Sequence, residues 1–264
     1  MNVYIMVDME GISGIFTRDQ VVSDGSGSRY QEGRHLMAKD INVCVKACKE
    51  AGAEKVYVRD CHGGGMNVLW EELCDEADGY ILGYTGQDRF PYLEECDGVI
   101  LLGYHAMAGT PGGILEHTMS SASVQNYWIN GQLAGETAVD AGIVGDKGKP
   151  VIMVSGDDKV CAEAKVMMPW CVTAEVKKGI TWKGGMLLPA AKSYALLREK
   201  TIEAVRNIPN AKPLVYDKPI TLRAERTERF VMPMEYEKPY IKIIDGRTYE
   251  VTGSTMEEAL FRLY

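Results

Sequence analysis

Apolar runs and amphipathic segments alternate along the first half of the chain. Residues 2–8 are almost all apolar and rich in β-forming side chains, and the glycine-containing segment 11–14 follows, which predicts a strand buried on both faces. Between residues 31 and 50 apolar side chains recur at helical spacing, and Gly52 marks the predicted end of that helix. Further short apolar runs predict strands at residues 56–58, 80–82, 99–102 and 151–154. Strands separated by helical segments or loops indicate βαβ units and a parallel sheet.

The pattern changes in the second half of the chain. A hairpin is predicted at residues 124–134 around Asn130-Gly131, and a helix at 136–144 follows it. An amphipathic helix is predicted over 189–207, and beyond it come strands at 214–223, 240–244 and 248–252 and a helix from Met256. We therefore predict an α/β fold, a parallel or mixed sheet flanked by helices, with a smaller C-terminal α+β portion. The predicted domains are residues 1–170 and 171–264.

Composition and charge limit the function classes. The chain has 264 residues, of which 46% are hydrophobic and 25% charged, which is typical of a globular protein. The formal charge of −8 provides no positive field for nucleic acid, so we expect no nucleic-acid partner. The start of the chain has no basic flank and carries two carboxylates, so we expect no secretory signal and a cytoplasmic protein. The most charge-poor stretch, residues 98–115, is interrupted by glycines, so we expect no membrane span.

Cysteine usage points to a reducing compartment. The seven cysteines are an odd number, and no Cys-x-x-Cys pair occurs. Neither a disulfide framework nor a zinc knuckle is indicated. We expect buried, reduced thiols, with Cys61 in the core.

Two carboxylates follow the first predicted strand. Asp8 and Glu10 occupy alternate positions, so both side chains leave the same face, with Cα atoms about 6.6–7 Å apart. Two buried carboxylates on one face repel each other, so a bound cation or the protonation of one carboxylate is needed to stabilise the pair. The alternative is that the strand has ended by Glu10, whose carboxylate then reaches solvent.

Two histidines follow later strands. His62 comes after the second predicted strand and His105 after the fourth. The carboxyl ends of parallel strands share one edge of a sheet, where open α/β folds place their ligands, so these imidazoles should converge with Asp8 and Glu10. Imidazole and carboxylate ligands suit Zn²⁺, and also Mn²⁺ or Co²⁺, in a hydrolytic site. Glu136 offers a third carboxylate, and two divalent cations with one bridging hydroxide would make such a site nearly neutral.

A long glycine-rich stretch, residues 103–123, carries a further histidine. His117 lies within reach of the same sheet edge, where a neutral imidazole could accept the proton of an attacking water and a protonated one could stabilise an oxyanion. Without other information, an exposed loop histidine is the alternative.

Five motifs together carry a family resemblance. They are VDMEGISG at 7–14, DCHG at 60–63, LGYHA at 102–106, HTM at 117–119, and NG at 130–131 with GE at 135–136. In this order they resemble the dinuclear zinc D-aminopeptidase family over essentially the whole chain. The resemblance implies removal of N-terminal D-amino acids such as D-Ala from short peptides or amides by a zinc-activated hydroxide. It also implies two Zn²⁺ per subunit and a homo-oligomer, a ring-shaped decamer.

The resemblance also implies roles for individual residues. Asp8 would bridge two zinc ions, with Glu10 and His62 on one ion and His105 and Glu136 on the other. His117 matches the catalytic histidine of the family.

This sequence departs from the family pattern at a few positions. Cys61 replaces a common serine, Glu116 replaces a small residue, and Trp182 stands where a basic residue is expected. Lys177 matches a family lysine and is a candidate partner for a substrate carboxylate, although a solvated lysine is the simpler interpretation. These departures leave the predicted metal ligands untouched and concern substrate preference.

Two other functions stay open at this stage. A dinuclear phosphoesterase would use similar ligands, but no cluster of arginines or lysines lies near the motifs to hold phosphate. A non-catalytic, metal-stabilised oligomer or binding module would bind metal without turnover. Motifs of dinucleotide-binding loops and of serine nucleophile elbows are absent from the sequence.

Overall fold

Two β-sheets form the framework of the computed structural model, which describes residues 1–22, 27–229, 232–234 and 237–264. The strands of the first sheet are β1 (Asn2–Val7), β2 (Lys55–Asp60), β3 (Gly79–Ile81), β4 (Gly98–Leu102), β7 (Val151–Asp157), β8 (Val172–Thr181) and β9 (Gly184–Leu187). Those of the second sheet are β5 (Val124–Ile129), β6 (Gln132–Ala134), β10 (Ile220–Arg226), β11 (Ile241–Ile243) and β12 (Thr248–Gly253). The helices are α1 (Ser28–Glu50), α2 (Glu136–Asp146), α3 (Asp158–Met167), α4 (Ala190–Arg206) and α5 (Met256–Arg262).

The first sheet is mixed, with strand order β3-β2-β1-β4-β7-β8-β9. All of its neighbouring strands pair in parallel except β8 and β9, which are antiparallel. The second sheet, β11-β12-β10-β5-β6, is antiparallel. The predicted fold class, a mixed sheet flanked by helices with a further α+β portion, is confirmed.

The first strand separates the two cores. Val3 and Ile5 pack with apolar residues of α1 and α4 on one face of the first sheet. Tyr4 and Met6 pack on the other face with residues of α2, α3, α5 and the second sheet. All four side chains are fully buried, as expected for a central strand covered on both faces. Because β1 lies between β2 and β4, its carboxyl end lies between the ends of those two strands, within the carboxyl edge of the sheet.

Several elements differ from the sequence-based prediction. Residues 214–219, predicted as part of a strand, are outside β10, which begins at Ile220. The sequence analysis did not predict α3, β8 or β9. The expected boundary at residue 170 does not coincide with the division between the sheets, because β8 and β9 complete the first sheet and β5 and β6 begin the second. The division into two domains stays a prediction.

Among the described helices, none combines the length and the apolar character needed to traverse a bilayer.

Candidate metal centre

Loops at the carboxyl edge of the first sheet bring the predicted ligands together. Asp8 and Glu10 follow β1, His62 follows β2 and His105 follows β4, while Glu136 is the first residue of α2. Strands β2, β1 and β4 are neighbours and parallel, so their ends meet at one place. Four of the five side chains are almost fully buried, and His62 is partly buried. The alternative in which Glu10 reaches solvent is wrong, since that residue is 5% exposed.

His62 faces both carboxylates of the β1 loop. Its Nδ1 lies 3.0 Å from Oδ1 of Asp8 and 3.1 Å from Oε2 of Glu10. Its Nε2 lies 2.7 Å from the carbonyl oxygen of Val21. A neutral ring that donates from Nε2 to this carbonyl presents the lone pair of Nδ1 to the carboxylates. This is how a hydrogen bond behind a metal-binding histidine fixes its tautomer.

His105 faces the other side of Asp8. Its Nε2 lies 3.5 Å from Oδ2 of Asp8 and 3.6 Å from Oε2 of Glu136. Its Nδ1 is 3.1 Å from the carbonyl oxygen of Ala106, so a neutral ring donates there and turns its lone pair toward the carboxylates. Asp8 thus directs one carboxylate oxygen to each histidine.

Three buried atoms of this cluster have no hydrogen-bond partner among the described residues: Oδ2 of Asp8, Oε2 of Glu10 and Nε2 of His105. The Glu10 atom lies 3.1 Å from Nδ1 of His62, whose hydrogen bond is with Asp8. Buried polar atoms without partners are costly, and a cation would satisfy all three. The ligand atoms of Asp8, Glu10 and His105 lie within 4.8 Å of one another, as do those of His105, His117 and Glu136. The donor set therefore fits divalent metal.

The carboxylates and imidazoles of the cluster shift one another's pKa values strongly. Burial and the adjacent Glu10 carboxylate raise the pKa of Asp8. Burial acts to lower the pKa of His105, but Glu136 and Asp8 outweigh it and raise that pKa to about 10. Burial acts to raise the pKa of Glu136, and His105 reverses the effect and lowers it. Divalent cations would supply the same charge compensation while leaving the imidazoles neutral, the form in which they bind metal.

His117 stacks on His105. Their ring centroids are 3.9 Å apart and the planes differ by 12°. Nδ1 of His117 lies 2.9 Å from the carbonyl oxygen of Leu115, which leaves Nε2 as the free nitrogen of a neutral ring. Burial, and next the charge of His105, lower the pKa of His117. A histidine with a free basic nitrogen at this place suits proton transfer, although its position also allows it to act as a ligand.

The backbone around His117 is held in unusual conformations. Leu115 and Met119 both adopt the left-handed region, with φ of 56° and 61°. For non-glycine residues this is uncommon and is found most often where function constrains a loop. The backbone N–H of Met119 donates to Oε2 of Glu136 at 2.9 Å, so the loop that carries His117 also fixes Glu136.

A cleft of about 310 Å³ opens over this cluster. Its wall includes Asp8, Glu10, His62, His117 and Glu136, together with residues from α5 and the loop before β5. A larger cavity of about 910 Å³ lies against the second sheet and shares Tyr264 with the cleft, but it contains none of the clustered carboxylates and imidazoles. We place the chemistry in the smaller cleft, because the unpartnered ligand atoms are there.

Comparison with known proteins gives the same family as the motifs. A family model described as D-aminopeptidase matches residues 1–263. The chain belongs to the D-aminopeptidase family. A D-aminopeptidase of Bacillus subtilis (strain 168) is 37% identical over 225 residues, which cover 83% of this chain and 80% of that protein. The structure matches that of the Zn-dependent D-aminopeptidase DppA from Bacillus subtilis, described as a self-compartmentalizing protease, with a TM-score of 0.92 and 32% identity over 100% of this chain and 96% of DppA.

Family membership makes the chain a hydrolase of the aminopeptidase class, and the resemblance drawn from the motifs is confirmed. Four of the five predicted ligands and His117 of this D-aminopeptidase family member line one cleft, and His105 lies behind them against Asp8 and Glu136. Their individual roles stay predictions.

A partly buried cation near the centre, Arg89, was not predicted. Arg89 donates to both carboxylate oxygens of Asp140, at 2.8 and 3.2 Å, and lies 4.0 Å from Oε1 of Glu136. Tyr104 donates its hydroxyl to the same Asp140 carboxylate at 2.7 Å. Burial acts to lower the pKa of Arg89, but Asp140 holds it well above the usual range. This arginine therefore stays charged beside the candidate metal ligands of the protein.

A second layer of polar contacts positions His62. The carboxylate of Asp60, at the end of β2, accepts from the backbone N–H groups of His62 at 3.2 Å and Asn67 at 2.6 Å. The side-chain amide of Asn67 donates to the His62 carbonyl at 2.6 Å. Such supporting contacts fix the orientation of a metal-binding side chain.

Lys177 of β8 is neither solvated nor open to substrate. It is 1% exposed, and its Nζ donates to the carbonyl oxygens of Glu10, Ile12 and Ile15 at 2.6, 3.0 and 2.6 Å. An ammonium has three donors, and all three are used. Both interpretations from the sequence were therefore wrong, because the partners are main-chain oxygens far away in the sequence.

The other departures from the family pattern lie near the cleft. Cys61 is partly buried, packs against the core and lines the cleft, and burial raises the pKa of its thiol. Glu116 accepts from the backbone N–H of Gly109, and Trp182 donates from Nε1 to the carbonyl of Glu116 at 3.2 Å. Glu116 and Trp182 thus brace the loop of His117. All seven cysteines are free thiols, and five of them are buried.

Proposed function

We propose that this protein removes N-terminal D-amino acids such as D-alanine from short peptides or amides, using two zinc ions per subunit. The observation that carries the proposal is the cluster of buried carboxylates and imidazoles with unpartnered atoms at the sheet edge of a D-aminopeptidase family member. Mn²⁺ and Co²⁺ accept the same ligands and are the alternative metals.

The proposed assignment of ligands is the one that the family resemblance implies. Asp8 directs its two carboxylate oxygens toward His62 and His105, which suits a residue shared by two ions. Glu10 and His62 would hold the first ion, and His105 and Glu136 the second. Three carboxylates and a hydroxide balance the charge of two divalent cations, whereas a single cation would leave the buried cluster negative.

Bound zinc would supply the positive charge that acidifies a water near neutral pH and polarises the scissile carbonyl. The residues of the chain supply the remaining functions. His117 would accept the proton of the attacking water at Nε2 and return it to the leaving amine, while the Leu115 carbonyl holds its Nδ1. Arg89 would keep Glu136 ionised and in place. The cleft of about 310 Å³ is large enough for a small ligand such as a short peptide.

The assembly is also part of the proposal. DppA is described as a self-compartmentalizing protease, and its fold matches this chain over its whole length. We infer that this protein forms a homo-oligomer, a ring-shaped decamer, that encloses its active sites. Restricted entry would exclude folded proteins and admit short peptides in the cytoplasm.

The test combines metal content with turnover. Purified protein is analysed for zinc, manganese and cobalt and assayed with D-alanyl amide, L-alanyl amide and a phosphate monoester. We expect two zinc ions per subunit and hydrolysis of the D-alanyl amide. Preferred hydrolysis of the phosphate ester would refute the proposal and identify the protein as a phosphoesterase. Bound metal without turnover of any substrate would also refute it and identify a metal-stabilised binding protein.

A further inference from the structure

Residues 8–15 form a strap that leaves β1 and runs over the carboxyl edge of the first sheet. Backbone contacts attach its near part to the end of β4: Asp8 donates its N–H to the Leu102 carbonyl at 2.9 Å, and Gly11 to the Gly103 carbonyl at 2.7 Å. The N–H of Ser13 donates to the buried carboxylate of Asp40 on α1 at 2.8 Å. The strap carries two of the five candidate ligands, so its position decides where their carboxylates lie.

The ammonium of Lys177 joins this strap to a distant strand. β8 is separated from β1 by β4 and β7 in the sheet, yet Lys177 reaches the strap carbonyls of Glu10, Ile12 and Ile15. One of these carbonyls belongs to a candidate ligand itself. Burial lowers the pKa of Lys177 to about 8, and the charges of Asp157 and Asp40, followed by those of Glu10 and Asp8, act in the opposite direction.

A lysine used only for packing would not need this arrangement. Three main-chain carbonyls within a six-residue segment converge on one buried cation, and a buried cation is retained only when it is well paired. The Glu10 side chain leaves the strap next to the carbonyl that Lys177 binds. A displacement of residues 10–15 would therefore move the Glu10 carboxylate relative to His62, while the backbone of Asp8 stays bonded to Leu102 and His105 and Glu136 are held by other elements.

We propose that Lys177 is a positioning residue that holds the strap, so that Glu10 is placed to bind the metal ion it shares with His62. The inference rests on the proposed function only in requiring metal at this site. Its consequence is selective: loss of Lys177 weakens the site of Glu10 and His62 more than that of His105 and Glu136.

The experiment measures metal binding by the full-length protein without substrate. Metal-free wild type, Lys177→Met and Lys177→Gln are titrated with zinc against a chromophoric chelator. Lys178→Met, the same change at the next and exposed residue, is the matched control. Glu10→Gln identifies which binding step belongs to the Glu10 site. We expect Lys177→Met to weaken that step by about tenfold or more and the other by less than about threefold, with Lys178→Met unchanged.

Activity gives a second readout. With D-alanyl amide as substrate and at a temperature well below the Tm of each metal-free variant, excess zinc should restore most of the rate of Lys177→Met, because the folded variant lacks only occupancy of the weakened site. Equal weakening of both steps, or no weakening, overturns the proposal. If Lys177→Met fails to fold, Lys177→Gln, which keeps amide donors, replaces it. Failure of both variants to fold in excess zinc assigns Lys177 to general stability and also overturns the proposal.

The two proposals fail in different ways. Zinc binding by the wild type without hydrolysis of peptides or amides would refute the proposed function and leave the Lys177 inference intact. Normal hydrolysis by the wild type with unchanged zinc affinities in Lys177→Met would refute the inference alone.

Discussion

The rings of His117 and His105 stack on each other, yet their different hydrogen bonds suit them to different chemical roles. His105 turns Nε2 into the space between Asp8 and Glu136, whereas His117 lies over that space with Nδ1 held by Leu115. The first arrangement suits a metal ligand and the second a proton acceptor. Substitution of His117 can test whether these two roles are separate.

We expect His117→Ala to lower kcat for a D-alanyl amide by at least about 100-fold, because the proton acceptor is lost. The zinc content should not change. His35→Ala, at a half-exposed histidine paired with Glu72 on the surface, is the control and should keep full activity. A rate within a few-fold of wild type would contradict the catalytic role of His117. Loss of one zinc per subunit would instead make this residue a ligand.

Asp40, which is not a candidate metal ligand, gives a pH dependence of stability. Burial raises its folded-state pKa to about 6 from its usual value of 3.8, despite the hydrogen bond from Ser13. The folded state therefore binds more protons than the unfolded state between about pH 4 and 6, and this residue makes the free energy of unfolding fall as pH rises through that interval.

Asp40→Asn keeps an acceptor for Ser13 and removes the titration. We expect the free energy of unfolding of the variant, relative to wild type, to rise by up to about 3 kcal/mol between pH 4 and pH 7. Denaturant unfolding at both pH values measures this difference. A difference that stays constant, or that moves in the opposite direction, would refute the assignment.

Single residues were predicted best where strand ends placed them. Asp8, Glu10, His62 and His105 could be brought together from the sequence, because the ends of parallel strands share an edge. Arg89 could not, since its partner Asp140 is 51 positions away and no local pattern links them. Lys177 was misjudged for the same reason, because its acceptors are backbone oxygens more than 160 positions away.

At the scale of elements, β8 was missed although its sequence carries the signal. Val172, Ala174 and Val176 are buried and alternate with polar residues, the pattern that predicts a strand with one buried face. The first strand and the β5–β6 hairpin were predicted correctly because each has an uninterrupted pattern and a clear turn signal.

Gly11 shows how closely the strap passes over β4. A Cβ at this position would lie 2.0 Å from the carbonyl oxygen of Tyr104, a backbone atom that cannot move aside cheaply. We expect Gly11→Ala to lower the free energy of unfolding by several kcal/mol and to weaken zinc binding, because the strap must shift. Thermal unfolding and zinc titration measure the two effects.

Gly64→Ala, in the loop after β2, is the control for Gly11→Ala. A Cβ at Gly64 would meet only the flexible end of Met66, at 3.2 Å, so stability and zinc affinity should remain close to those of wild type. Equal behaviour of the two alanine variants would show that the close approach of the strap does not constrain the site.

At the scale of the whole molecule, metal should stabilise the fold. The ligand cluster is buried between the two cores, and its carboxylates and imidazoles depend on each other's charge. Removal of metal by a chelator should lower Tm by several degrees, and excess zinc should restore it, because a ligand that binds only the folded state shifts unfolding toward higher temperature. An unchanged Tm would contradict the proposed metal centre.

The spacing of the ligands along the chain has a consequence for folding. Asp8 and His62 are 54 positions apart, and the cluster extends to Glu136. An ion held by such residues would act as a reversible crosslink that closes long loops and reduces the entropy of the unfolded chain, as a disulfide does in a secreted protein. The seven cysteines of this chain form no disulfide in the structure, so imidazole and carboxylate groups would provide its long-range crosslinks.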